Sequence, residues 1–246
     1  MNTGQFFRLL QPAAFMLLIA AVLPAHAAAL YDTSISGDII LNTLTGNANV
    51  SQVSTTPNST SFFVDPLGAG TAAASASSSL LTSNTLQVQA ATNGTAVATQ
   101  DPIFGLGTTS FATGTSYGEL QITNPGSSAL TLLINIDISW AWTLLVDNAI
   151  NEAATAVLSL DLYADGNFIQ SLVNLVGLQA SGSDSLNQSL QIDLSDPLAT
   201  LNAGQTRTFQ LVASTTANGT AIPEPGTLSL MLLGLAGIGR TLRRRA

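Results

Sequence analysis

Cysteine and lysine are absent from this chain of 246 residues, histidine occurs once, and only 8% of the residues are charged. Without cysteine there is no disulfide framework and no thiolate chemistry, so a fold outside the cytoplasm must rest on burial and backbone hydrogen bonding. Without lysine there is no Schiff-base amine. The one histidine, His26, lies in an N-terminal segment whose pattern marks it for removal. Once it is gone, Ser-His-Asp, Cys-His and thiolate–metal sites are all excluded. Positive charge is scarce as well: between Ala28 and Ile222, thirteen acidic residues stand against Arg207 alone, a formal charge of −12. Such a body repels phosphate backbones, which excludes nucleic acid as a partner. It is not a disordered composition, since 46% of the chain is hydrophobic and can pay for chain ordering through burial.

The hydrophobic residues that are present are most concentrated at the two ends. At the N-terminus Arg8 precedes the apolar stretch Ala13 to Leu23, Pro24 breaks it, and Ala25-His26-Ala27 has the small-x-small form of a signal-peptidase site. This order predicts a signal helix over residues 1–27 and cleavage by signal peptidase between Ala27 and Ala28. A buried N-terminal helix is the plainer alternative, and the succession of basic, apolar and small segments disfavours it.

At the C-terminus the order is Pro223-Glu224-Pro225, an uncharged run from Gly226 to Gly239, then Arg240, Arg243, Arg244 and Arg245. As a helix, about fourteen residues span roughly 21 Å, short of a hydrocarbon core of roughly 30 Å. The arginines offset that shortfall, because they can snorkel and act as a cytoplasmic basic stop while the signal peptide sends the body to the other side. These three ordered elements closely resemble the PEP-CTERM sorting signal of exported bacterial proteins. The resemblance implies a short transmembrane helix as a transient anchor in the cytoplasmic membrane and Pro223, Glu224 and Pro225 as the sorting motif. It also implies processing by an exosortase-type membrane enzyme, with release to the cell surface or an extracellular polysaccharide matrix. The expected division is 1–27 signal peptide, 28–221 ectodomain and 222–246 sorting signal.

Between the signals the dominant period is two. In "LTLLINIDISWAWTL" the positions Leu130, Leu132, Ile134, Ile136, Ile138, Trp140, Trp142 and Leu144 are apolar and mostly alternate with polar residues, the pattern of a strand with one buried face. Fifteen residues is long for a strand, so a bend or bulge is expected within it. Upstream, "YGELQIT" and Asn124-Pro125-Gly126-Ser127 predict a hairpin into this strand. Downstream, Leu158, Leu160 and Leu162, then "ADGN", then Phe168 to Val173 predict another. Alternation continues through Leu190, Ile192 and Leu194, and through Phe209, Leu211 and Ala213. In the Ala/Ser/Thr-rich first half, alternation favours strands, and Asn93-Gly94 favours a tight turn. The fold class expected is all-β: an antiparallel β-sandwich ectodomain, jelly-roll or immunoglobulin-like, flanked by an N-terminal signal helix and a C-terminal hydrophobic helix. The body is similar to uncharacterised strand-rich ectodomains that precede PEP-CTERM tails, a resemblance that assigns no active residue.

Candidate sites weigh lightly. Trp140 and Trp142 share a face that could stack on sugars, but it is the face of Ile134, Ile136 and Ile138, so core packing is favoured. Tyr31-Asp32-Thr33-Ser34 has the form of an aspartic-protease turn without a second copy to supply the partner carboxylate. Asp137, Asp147, Glu152, Asp161 and Asp165 are candidates for a glycosidase pair or calcium ligands. In "DLYADGN", however, Tyr163 stands where an EF-hand-type loop needs an oxygen ligand, which leaves a turn. Sequons at Asn49, Asn58, Asn93, Asn187 and Asn218 are close to the roughly three or four that chance places in so Asn-, Ser- and Thr-rich a chain. No cofactor and no catalytic residue is expected. The reading is a non-catalytic exported surface or matrix protein, with an exopolysaccharide-binding module as the alternative and a two-carboxylate hydrolase behind it.

Overall fold

The computed structural model describes residues 27–43, 49–54, 59–64, 69–82, 84–98, 107–146, 152–179, 182–192 and 198–222. The helices expected in the signal peptide and the C-terminal tail lie outside them. The described residues form twelve strands: β1 Ala27–Thr43, β2 Asn49–Ser54, β3 Ser59–Val64, β4 Ala69–Thr82, β5 Thr85–Ala98, β6 Thr108–Thr123, β7 Leu130–Val146, β8 Glu152–Ala164, β9 Asn167–Gln179, β10 Gly182–Ile192, β11 Thr200–Leu201 and β12 Thr206–Ala221.

Every pairing is antiparallel. One sheet runs β10-β7-β1-β5-β4, with β11 on β7; the other runs β2-β6-β12-β8-β9, with β3 also on β6. β2 and β3 pair with successive parts of β6, Thr123 to Glu119 and then Thr115 to Ser110, so together they make one interrupted edge. Alternation dictates this architecture: along β6 and most of β12 every second residue is buried, and a strand with one apolar face must turn it to a partner layer. The two inner faces share one core, in which Tyr31, Ile35, Ile39, Leu86, Ile134 and Ile136 meet Leu120, Ile122, Leu158, Leu160, Phe209 and Leu211.

Polar groups inside this core are paired. The hydroxyls of Thr33, Thr92 and Thr215 meet between the sheets: Thr33 and Thr92 lie 2.7 Å apart, Thr92 and Thr215 3.4 Å, and Thr33 also bonds Thr215. Three mutual hydrogen bonds remove the cost of three buried hydroxyls. The Tyr31 hydroxyl lies 2.9 Å from that of Ser110, which donates to the Thr71 carbonyl at 2.6 Å, and Ser116 donates likewise to the Ser77 carbonyl. Carbonyls of β4, an edge strand that would otherwise present an open template, are therefore engaged by side chains of the opposite sheet. Burial pushes the Tyr31 phenol above its usual range, because a phenolate would have to be desolvated there.

Three local expectations are corrected. The Asn124-Pro125-Gly126-Ser127 turn does not close a hairpin: β6 and β7 belong to different sheets, and residues 124–129 carry the chain across the roughly 10 Å between them. Asn124 holds that crossing. Its Nδ2 donates to the carbonyls of Ser128 and Leu201, both at 2.8 Å, and its Oδ1 accepts from the Gly126 amide at 3.0 Å. β7 carries no bulge against β1: the two seventeen-residue strands pair without a shift from Leu132–Thr43 to Val146–Ala29, since β7 is held in register on its other side by β10. Asn93-Gly94 is not a turn but lies inside β5, where Gly94 faces Tyr31. The "ADGN" hairpin does form: Asp165 and Gly166 take φ of 49° and 79°, the positive pair that a tight two-residue connection requires.

Candidate functional site

The first and last strands of the described body meet at one end of its two layers. β1 starts there and β12 finishes there, and a Cβ at Gly219 would stand 3.4 Å from the Ala29 carbonyl. Ala96 and Ala221 are buried together beside them. Ala221 is the last residue of β12, Ile222 is exposed, and Pro223 follows. Two prolines in three residues lack the N–H groups that a continuing ladder needs, and the sequence of the sorting motif follows directly on β12. Glu152, the first residue of β8, lies directly opposite Ala221. It is only 6% exposed, and its Oε1 accepts the Ala28 amide N–H at 2.9 Å. The predicted signal-cleavage bond and the last residue of β12 thus both lie beside Glu152, whose carboxylate is buried. Pro223, Glu224, Pro225, Arg240, Arg243, Arg244 and Arg245 lie outside the described residues, and no helix among the described residues is long and apolar enough to cross a membrane.

A second feature occupies the outer face of the sheet that contains β1. Two shallow depressions there share Ser36 and Ser139; one extends towards Ser75 and Gln89, the other towards Asp38, Asp137 and Asn187. Together they form an open trough across five strands. Register explains its lining: Gln89, Ser36, Ser139 and Asn187 stand in one cross-strand row, and Gln87, Asp38, Asp137 and Ser189 in the next. Gln87 donates to Asp38 at 2.9 Å. Directly opposed carboxylates repel, which destabilises this row. The outward side chains are mostly hydroxyls and amides, with this acid pair and Ala91, and among the described residues no aromatic or basic side chain borders either depression.

The remaining candidates are dispersed. Trp140 and Trp142 are half-buried and packed against the core, and Trp142 leans over Gly182 of β10. Asp32 is exposed, with Asn93 and Thr143 opposite it rather than a carboxylate, while the neighbouring Thr33 is consumed by the buried hydroxyl cluster. Asp161 lies opposite Val212 and Ser171. Asp165 pairs with Arg207 at 3.1 Å, and Asp147 falls outside the described residues. Among the described residues no three His, Cys, Asp or Glu side chains gather as a metal site. Of the sequons, Asn49, Asn93 and Asn187 are exposed and Asn218 is half-buried, while Asn58 lies outside the described residues. Sequence reasoning missed Asp38 as the partner of Asp137. The two are ninety-nine positions apart, and only the β1–β7 register brings them together.

Residues 221–245 match the family described as the PEP-CTERM protein-sorting motif. That motif implies an exported protein whose membrane-directed C-terminal signal is processed by an exosortase-type system. No curated protein matches the chain.

Proposed function

We propose that this protein enters export through a signal peptide removed between Ala27 and Ala28, is held transiently by its C-terminal tail, and passes to the cell surface or extracellular matrix as a non-catalytic β-sandwich ectodomain. The observation that carries this reading is the sorting motif at residues 221–245, placed immediately after β12. Geometry supports it: with both signals leaving one end, the body can stand on the membrane with that end down, and neither segment has to wrap around the fold. The missing His, Cys and Lys chemistry supports a role without catalysis. The Asp38–Asp137 pair lies on an open face rather than in the enclosed setting that gives two carboxyl groups separate acid and base roles.

Protease treatment of a tagged precursor tests this topology. In intact spheroplasts the body should be digested and the arginine tail protected; a body protected inside the cytoplasm would reject the export reading altogether.

The trough favours a second reading, in which the body binds a neutral exopolysaccharide. Rows of Ser, Asn and Gln on adjacent strands offer paired donors and acceptors at the roughly 4.8 Å strand spacing, without stacking rings. Replacing Ser139 and Asn187 with Ala should then weaken retention on matrix polysaccharide several-fold and leave the unfolding midpoint unchanged. Loss of binding on Trp140→Ala, with retention normal in the Ser139/Asn187 variant, would move the sugar contact to the tryptophans.

A further inference from the structure

We propose that Glu152 is the receptor for the α-ammonium group that signal-peptide removal creates at Ala28. The proposal rests on cleavage between Ala27 and Ala28. Hydrolysis of that bond adds one water: the Ala27 carbonyl leaves as a carboxylate with the signal peptide, and the Ala28 nitrogen, now a free amine, takes up a proton at neutral pH. Before the cut, this nitrogen is a neutral amide donor 2.9 Å from Glu152 Oε1. After it, the same atom at the same place carries a positive charge.

No rearrangement is needed to convert this amide–carboxylate hydrogen bond into an ion pair in which donor and acceptor both carry charge. Burial raises the stakes, because Glu152 is the one acidic side chain in the buried class among the described residues, and an ion pair shielded from water is less screened than one on the surface. The location is specific too. Arg207, the only cation that the sequence supplies between Ala28 and Ile222, pairs with Asp165 beside the opposite end of β12. Cutting therefore adds a second cation to a strongly acidic body, and it adds it beside a buried carboxylate. Because Glu152 also stands opposite Ala221, the ion pair ties the new N-terminus to the strand pair from which the sorting motif emerges.

The absence of lysine makes the test clean, since the α-amine is the only amine in the mature chain. Mature protein recovered from the exported fraction is first sequenced at its N-terminus, as wild type and as Glu152→Gln, and then treated with an acetylating active ester. Folded wild type should be acetylated about tenfold more slowly than either folded Glu152→Gln or urea-unfolded wild type, because a neighbouring carboxylate favours the charged, non-nucleophilic form of the amine. Wild type acetylated while unfolded and then refolded should melt several degrees below the unmodified protein, a comparison that stands even if Glu152→Gln does not fold. An N-terminus other than Ala28 overturns the proposal by overturning the cleavage position. An N-terminus at Ala28 with equal folded and unfolded acetylation rates, and no change in melting on acetylation, overturns the ion pair while leaving export intact.

Discussion

Replacing Gly94 with alanine is expected to destabilise the body by about 3 kcal/mol, the upper part of the usual cost of overpacking a close-fitted interior. A Cβ at this position would overlap the Tyr31 hydroxyl, its ring carbon Cζ and the Thr71 carbonyl oxygen. None of these can retreat cheaply. Tyr31 is fully buried, its hydroxyl is bonded to Ser110, and Ser110 in turn donates to the same Thr71 carbonyl. Thr71 is itself fixed opposite Thr95 on β5. A urea-unfolding midpoint far below that of wild type is the expected observation. Adding Tyr31→Phe should recover only part of the loss, because the ring and the Thr71 carbonyl both remain. A Gly94→Ala protein that unfolds with wild type would mean that the ring has room to move aside.

The same residue shows how much local pattern can and cannot reveal. Asn93-Gly94 carries the chemistry of a tight turn, and nothing within a few residues distinguishes that use from a strand glycine. The deciding contact is Tyr31, more than sixty positions away. The actual β4–β5 connection is at Asn84, whose Nδ2 donates to the Leu41 carbonyl at 3.0 Å, again a partner on a distant strand. Strand identity was more legible than strand pairing throughout. Leu130 to Leu144 and Phe209 to Ala213 declare their buried faces by alternation alone, whereas Asn124-Pro125-Gly126-Ser127 has the composition of a hairpin turn and serves as a crossing between layers. Local turn chemistry reports that the chain reverses; it does not report which sheet receives it.

Site residues divide in the same way. The C-terminal sorting motif is linear, so its order and spacing can be read directly, and the family match at residues 221–245 falls where Pro223 to Arg245 place it. Glu152 was visible only as one scattered acid. Its proximity to Ala28 comes from the assembly of β1, β8 and β12, and its facing of Ala221 from a register fixed by thirteen residue pairs. Asp137 was visible in the same limited sense, and its neighbour Asp38 was not visible at all. Features that depend on two strands meeting have no signature on either strand alone.

The tail offers the sharpest functional separation, because the proposed anchoring and recognition roles fall on different residues. If the arginines hold the tail cytoplasmic, changing Arg243, Arg244 and Arg245 together to neutral residues should weaken retention of the precursor, since a run of about fourteen residues anchors poorly without charged flanks. Glu224→Ala should act otherwise. It leaves the apolar run and its basic stop intact, so the precursor still enters the membrane, but it removes the single acid of the motif that an exosortase-type enzyme would read. The expected result is near-complete loss of processing, with uncut protein accumulating in the membrane fraction and little mature product released. Because Glu224 lies beyond Ala221, the last residue of β12, the body should keep its wild-type unfolding midpoint in both variants, and a folding defect then cannot account for either outcome. Quantifying precursor and released product for the two variants separates the roles: early leakage of uncut protein from the arginine variant, membrane-bound uncut protein from Glu224→Ala. Normal release of a correctly trimmed Glu224→Ala protein would remove this acid from recognition, and wild-type behaviour of both variants would reduce the tail to a dispensable hydrophobic end.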